Sequence, residues 1–209
     1  MERRPRRPAM LDAQTAERIV GDVDPALRSE AAHTTASVLV HRGRDGAEDP
    51  ALVDRLVSLV DTEGLDTIAA LWSQSPPATL PGALWRLYLL REWVRRDPRT
   101  IAERYNLGLQ RAEVAGVIAG VASPPGPEEV RRTADAVLAG VYHGDLDVAL
   151  DRAASFFRVV ATGAALDADW VEGTDDALAV RVTRRASSLL ATAEELEQAA
   201  EMARAGRLD

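Results

Sequence analysis

Residues 79–97 read TLPGALWRLYLLREWVRRD. This span is the most hydrophobic of the chain, holds Trp85 and Trp93 of its four tryptophans, and has marked ends. Thr79 offers a cap oxygen, Pro81 suits a first helical turn where a missing N–H costs nothing, and Asp97-Pro98 stops the run. With successive residues about 100° apart, Ala83, Leu87, Leu89, Leu90, Trp93 and Val94 share one broad face. Leu84, Trp85 and Tyr88 carry apolar surface further round, so this helix is expected to meet neighbours on more than one side. The stretch predicts the central helix of an all-α protein.

Arg86 projects near the middle of that face, beside Leu89, Leu90 and Trp93. A guanidinium buried there without a partner would cost several kcal/mol, so it is either paired or not buried. In one reading its stem packs while its head reaches the rim or meets a structural carboxylate. In the other it lines an internal pocket for an anionic ligand.

Composition narrows the chemistry. The 209 residues suffice for one large domain or two small ones and contain no cysteine, which excludes disulfides, thiolate metal sites and a cysteine nucleophile. All 25 basic residues are arginine and 37 residues are alanine, a bias that points to a GC-rich bacterial genome. Without lysine there is no Schiff base and no phosphate-loop lysine. Alanine favours helix and strand formers are scarce, which again leans all-α. A net charge of −8 argues against a protein that coats nucleic acid. The first ten residues, MERRPRRPAM, are basic, lack a following apolar stretch, and read as a disordered tail rather than a secretory signal. No run approaches the roughly 20 apolar residues of a membrane span. A soluble cytoplasmic protein without a membrane partner or a cofactor is expected.

Along the chain, a short helix is expected over residues 11–20, ending at Gly21. Asp24-Pro25 opens a second helix running to about His41, and RGRDGAE, residues 42–48, reads as a loop. Asp49-Pro50 repeats the start signal, and Leu52, Val53, Leu56, Leu59 and Val60 follow at amphipathic spacing until Gly64. Residues 65–73 give one more helix with Ile68, Leu71 and Trp72 on a face, and Ser75-Pro76-Pro77 breaks the chain before the central element.

After the central helix, Ile101, Ala102, Tyr105, Asn106, Leu107, Ala112 and Ala115 resemble the apolar, small and turn positions of a helix-turn-helix over residues 98–119. That resemblance implies a DNA-binding transcriptional regulator whose recognition helix, residues 109–119, offers Gln110, Arg111 and Glu113 as polar contacts. Two short helices packed in a core carry the same pattern. Residues 122–127, ASPPGP, form the strongest loop signal and the best boundary between two helical halves, 11–122 and 127–209, of one domain spanning 11–209.

In the second half, Pro127, Glu128 and Glu129 suit a first helical turn, and Val130, Ala134, Val137, Leu138 and Val141 form a buried stripe. The next helix is expected over residues 145–162, with residues 163–173, which include Trp170, forming a turn. The junction at residues 144–150 resembles the turn of a tetratricopeptide unit, but no second copy follows at that family's period, so it reads as an αα-hairpin. Residues 175–205 carry Val182, Leu189, Leu196 and Ala203 at heptad spacing, with Ala179, Ala186, Ala193 and Ala200 on the complementary row. This long alanine-rich amphipathic helix packs either along its own bundle or on a second copy in a homodimer.

His143, Asp147 and Asp151 are the weak candidates for a metal site, with Asp145 beside them. Asp147 and Asp151 stand one turn apart and could present oxygens to a hard cation, whereas caps and the helix dipole also account for acids there. No nucleophile elbow, phosphate loop or dinucleotide fingerprint is present. The sequence therefore predicts an irregular bundle of eight to ten helices acting, without enzymatic chemistry, as an interaction or regulatory protein whose surface helices bind a protein partner. DNA binding through Gln110 and Arg111 and a metal-dependent helical enzyme are the alternatives.

Overall fold

The computed structural model describes residues 24–121, 125–172 and 176–209. Among them stand ten α-helices and no strand. They are α1 (Pro25–Asp45), α2 (Pro50–Val57), α3 (Leu59–Glu63), α4 (Leu65–Trp72), α5 (Leu80–Arg96), α6 (Pro98–Leu109), α7 (Glu113–Ala119), α8 (Pro127–Tyr142), α9 (Leu146–Glu172) and α10 (Asp176–Arg204). The expected basic tail 1–10 and helix 11–20 lie outside the described residues. So do most of the loop before Pro127 and the side chains of Trp170, Ala179 and Val182.

The helix starts follow from local chemistry. Asp24 and Asp49 accept hydrogen bonds from the N–H groups of Ala26 and Ala51, and Asp97 accepts from Thr100, each with proline at the first position. Thr79 caps α5 by accepting from Gly82 N–H, and the Leu80 N–H, another donor without a helical partner, donates to the Asp209 carbonyl.

Three boundaries differ from the expectation. Helix α1 runs through the expected loop as far as Asp45, because Gly46 supplies the cap. The single helix expected to end at Gly64 is two, since the Ser58 hydroxyl donates to the Asp54 carbonyl at 2.6 Å and the chain turns there. Helix α9 does not stop near Thr162 but continues through Gly163 to Glu172. Gly163 is a crossing point, not a terminator, as its contact with α6 explains below.

One hydrophobic core extends through the described residues from Ala32 of α1 to Ala200 of α10. Its largest fully buried side chains include Trp72, Tyr88, Tyr105, Tyr142 and Phe156. Their polar atoms are satisfied: the Trp72 indole donates to Thr35 Oγ1 at 3.0 Å, and the Tyr88 hydroxyl donates to the Leu56 carbonyl at 2.7 Å and meets the Tyr142 hydroxyl at 2.5 Å. Burial raises the Tyr88 phenol to about 12, although the Tyr142 hydrogen bond and the Arg91 charge pull the other way. Burial likewise raises Tyr105 to about 12.

Helices α9 and α10 form a long antiparallel pair, the most extensive contact between elements. Arg204 meets Asp151 and Arg158 meets Glu197, so a step forward along α9 is an equal step backward along α10. Ala186, Ala193, Leu196 and Ala200 are buried, and the alanine row lets the pair approach closely within one chain.

Candidate functional site

Helix α5 has two apolar faces with different fates. Leu84, Leu87, Tyr88, Arg91 and Val94 point into the core and are almost completely buried. The stripe Trp85, Leu89, Trp93, spaced by one turn at each step, falls on the opposite side and remains partly open. The expectation that Leu89 and Trp93 sit within the buried face is therefore corrected. Leu89 is 37 % exposed and Trp93 is partly buried, because the face that meets α1, α4 and α8 is centred on Leu84 and Arg91.

The buried cation of this helix is Arg91, not Arg86. Arg91 is 3 % exposed, donates from Nε to Asp135 Oδ1 at 2.6 Å, and holds both oxygens of Asp61 at 3.0 and 3.3 Å. Arg95 adds a second contact to Asp61 at 3.2 Å. Burial alone would lower the pKa of Arg91, but the hydrogen bonds it donates to Asp61 and Asp135 reverse this and leave it above the ordinary arginine value. The cluster ties α3, α5 and α8 together and is structural.

The outer stripe of α5 lines an open groove against α9 and α10. The Trp93 ring stacks nearly parallel on Phe157 of α9, 6.1 Å between centroids and 7° apart, while Leu189 and Thr192 of α10 form the far wall. Trp85, Leu89 and Arg86 complete a volume of about 300 Å³. The head of Arg86 is anchored at its wall, donating to Glu195 Oε2 at 2.8 Å and to the Gly82 carbonyl at 2.9 Å. Arg86 is thus both paired with a carboxylate and at the edge of a pocket that opens to solvent. Trp93 and Leu189 also border a second hollow of about 550 Å³, lined by Arg104, Thr100 and Asp97 from α6 and its cap and by Arg185 and Ser188 of α10. The two hollows make one furrow, aromatic at one end and rich in guanidinium at the other.

The remaining candidates are scattered. Asp147 and Asp151 face Arg204, at 3.9 and 2.5 Å, and His143 caps α8. Among the described residues no three His, Asp or Glu side chains stand close enough together to hold a metal ion. Gln110 and Arg111 are exposed, but they lie in the turn between α6 and α7, not inside a helix beginning at Leu109. Helix α7 instead exposes Val117 and Ile118, at 82 % and 47 %. The signal for the furrow was legible in part, as the Trp85, Leu89, Trp93 stripe. Phe157 and Leu189 come from elements more than sixty residues away and carry no mark in sequence that joins them to it.

These features define an all-helical bundle with an open aromatic furrow along its central helix. Comparison of the chain with protein families, with curated proteins and with solved structures finds no match. No helix among the described residues is long and apolar enough to cross a membrane.

Proposed function

We propose that this protein is a non-enzymatic interaction protein that binds a protein partner through the furrow between α5, α9 and α10. The observation that carries the reading is the Trp85, Leu89, Trp93 stripe, which leaves large apolar side chains facing solvent beside an anchored arginine. Tryptophan and arginine dominate the energetics of protein interfaces, and a partly exposed, stacked ring presents contact area that is already ordered. The lining supports binding more than chemistry, for it consists of aromatic and aliphatic side chains, the hydroxyls of Ser73 and Thr192, and a guanidinium already engaged. The DNA-binding alternative has less support. The face it would present on α7 carries Val117 and Ile118, which offer nothing to a phosphate.

A photoreactive amino acid placed at Leu89 tests the reading, with the same group at Val38 on α1, which is 58 % exposed, as the control. The expected result is a protein adduct at position 89 that is absent at 38. Binding of the purified adduct partner should weaken at least about tenfold in Trp85→Ser. Identical adducts at both positions, no adduct, or a partner indifferent to Trp85→Ser would overturn the proposal.

A further inference from the structure

Helix α1 carries two apolar stripes. Ala32, Ala36, Val40 and Gly43 are buried against the bundle. With successive residues about 100° apart, Leu27, Ala31, Thr34 and Val38 fall together on the opposite side. All four are exposed, Leu27 at 59 % and Val38 at 58 %. Single apolar residues are ordinary on a surface, but the face opposite a buried stripe is where a bundle helix places its charges. Here leucine, alanine, threonine and valine are aligned there instead, over about 16 Å of helix.

We infer that this face is covered by the chain's own residues 11–20, folded back as a helix antiparallel to α1. That segment lies outside the described residues, and its sequence is what assigns it. Four residues, Gly21 to Asp24, separate it from Pro25, the length of an ordinary αα-hairpin connection. Fully extended they reach at most about 14 Å, enough to cross the 8 to 10 Å between packed helix axes and too little to carry a helix to a remote side of the molecule. The apolar spacing also matches. Forward from the connection, Leu27, Ala31 and Thr34 advance by four and then three residues; backward from it, Val20, Ala16 and Ala13 recede by four and then three. An antiparallel pair therefore sets Val20 level with Leu27, Ala16 with Ala31 and Ala13 with Thr34, and the two alanines permit the close approach that the alanine row of α10 permits on α9. A helix of ten residues is marginal in water by itself, so docking is what would order this one.

The chain contains no cysteine, so each introduced pair is the only one present. In the full chain Ala16→Cys with Ala31→Cys should form an intramolecular disulfide on the order of tenfold faster than Ala16→Cys with Gln74→Cys, or Ala16→Cys with Val117→Cys. Gln74 borders a neighbouring hollow of about 220 Å³ beside the start of α1, and Val117 lies on α7. The second measurement is trypsin cleavage after Arg18, which should accelerate about tenfold or more in the double variant Leu27→Glu, Ala31→Glu, because cleavage follows the undocked population. Both substituted residues are exposed, and circular dichroism checks that the bundle is retained. No faster bridging to position 31 than to 74 or 117, or cleavage at Arg18 indifferent to the double variant, would overturn the inference. A disulfide between two chains would place a second copy on α1 and refute it as well.

Discussion

Replacing Gly163 by alanine tests the crossing that shapes the molecule. Gly163 of α9 and Gly108 of α6 face each other where the two helices meet. A methyl carbon built on Gly163 falls 1.8 Å from the carbonyl oxygen of Arg104, and one on Gly108 falls 1.9 Å from that of Val159. Both obstacles are backbone, so no side chain can rotate out of the way. Because carbon and oxygen do not approach closer than about 3 Å, the helices must part by roughly 1 Å or more, which loosens the packing of Tyr105 on Phe156, now 5.1 Å between ring centroids. Overpacking of this kind costs about 1 to 3 kcal/mol and occasionally more, and a backbone clash belongs at the upper end. Alanine returns about 1 kcal/mol of helix propensity, so the expected net loss is about 2 to 3 kcal/mol. Gly140 of α8 is the matched control. A methyl there meets only the Ala149 Cβ at 3.5 Å, an ordinary contact, and Gly140→Ala should stabilise by about 0.5 to 1 kcal/mol. Urea denaturation followed by far-ultraviolet circular dichroism measures both. A Gly163→Ala protein as stable as wild type, or stabilised like Gly140→Ala, would refute the close crossing.

Arg91→Ala should destabilise by about 3 kcal/mol in the same melts, because it leaves Asp61 and Asp135 facing each other across a vacated site; a loss under about 1 kcal/mol would mean the cluster is incidental. Ala193, completely buried against α9, should tolerate leucine poorly, with a loss of about 1 to 3 kcal/mol that does not depend on protein concentration. A concentration-dependent loss would move the partner helix to a second subunit. Between pH 10 and 12 stability should fall, since Tyr88 and Tyr105 are held neutral in the fold up to about 12 while the unfolded chain releases their protons from about 10. The native state then binds more protons than the unfolded one, each residue accounts for roughly 2 kcal/mol by pH 12, and Tyr105→Phe should flatten the decline; an unchanged slope would count against it. Duplex DNA should bind no more tightly than about 1 μM at physiological salt, and a sequence-selective gel shift abolished by Arg111→Ala would contradict this.

Most of the helix starts were legible because they are local events. Asp-Pro at 24, 49 and 97 and Thr79 before Pro81 each act within four residues, so the chain announces them without help from tertiary structure. The heptad spacing of leucine and alanine over residues 175–205 likewise marked a helix whose alanine side demands a close neighbour, and α9 is that neighbour. What the pattern could not convey was which of several apolar faces turns inward. On α5 the apolar residues wrap most of the way round, and only the positions of Asp61 and Asp135, on helices distant in sequence, make it favourable to bury Arg91 and leave Leu89 outside. Glycine was ambiguous for the same reason. At 163 it reads as a helix end when taken alone, and it becomes a packing surface only once α6 lies across it. The furrow shares this dependence. Trp85 and Trp93 were visible in the chain, but Phe157, Leu189 and Arg185 join them through folding alone, since burial, pairing and close approach are properties of elements brought together from far apart in sequence.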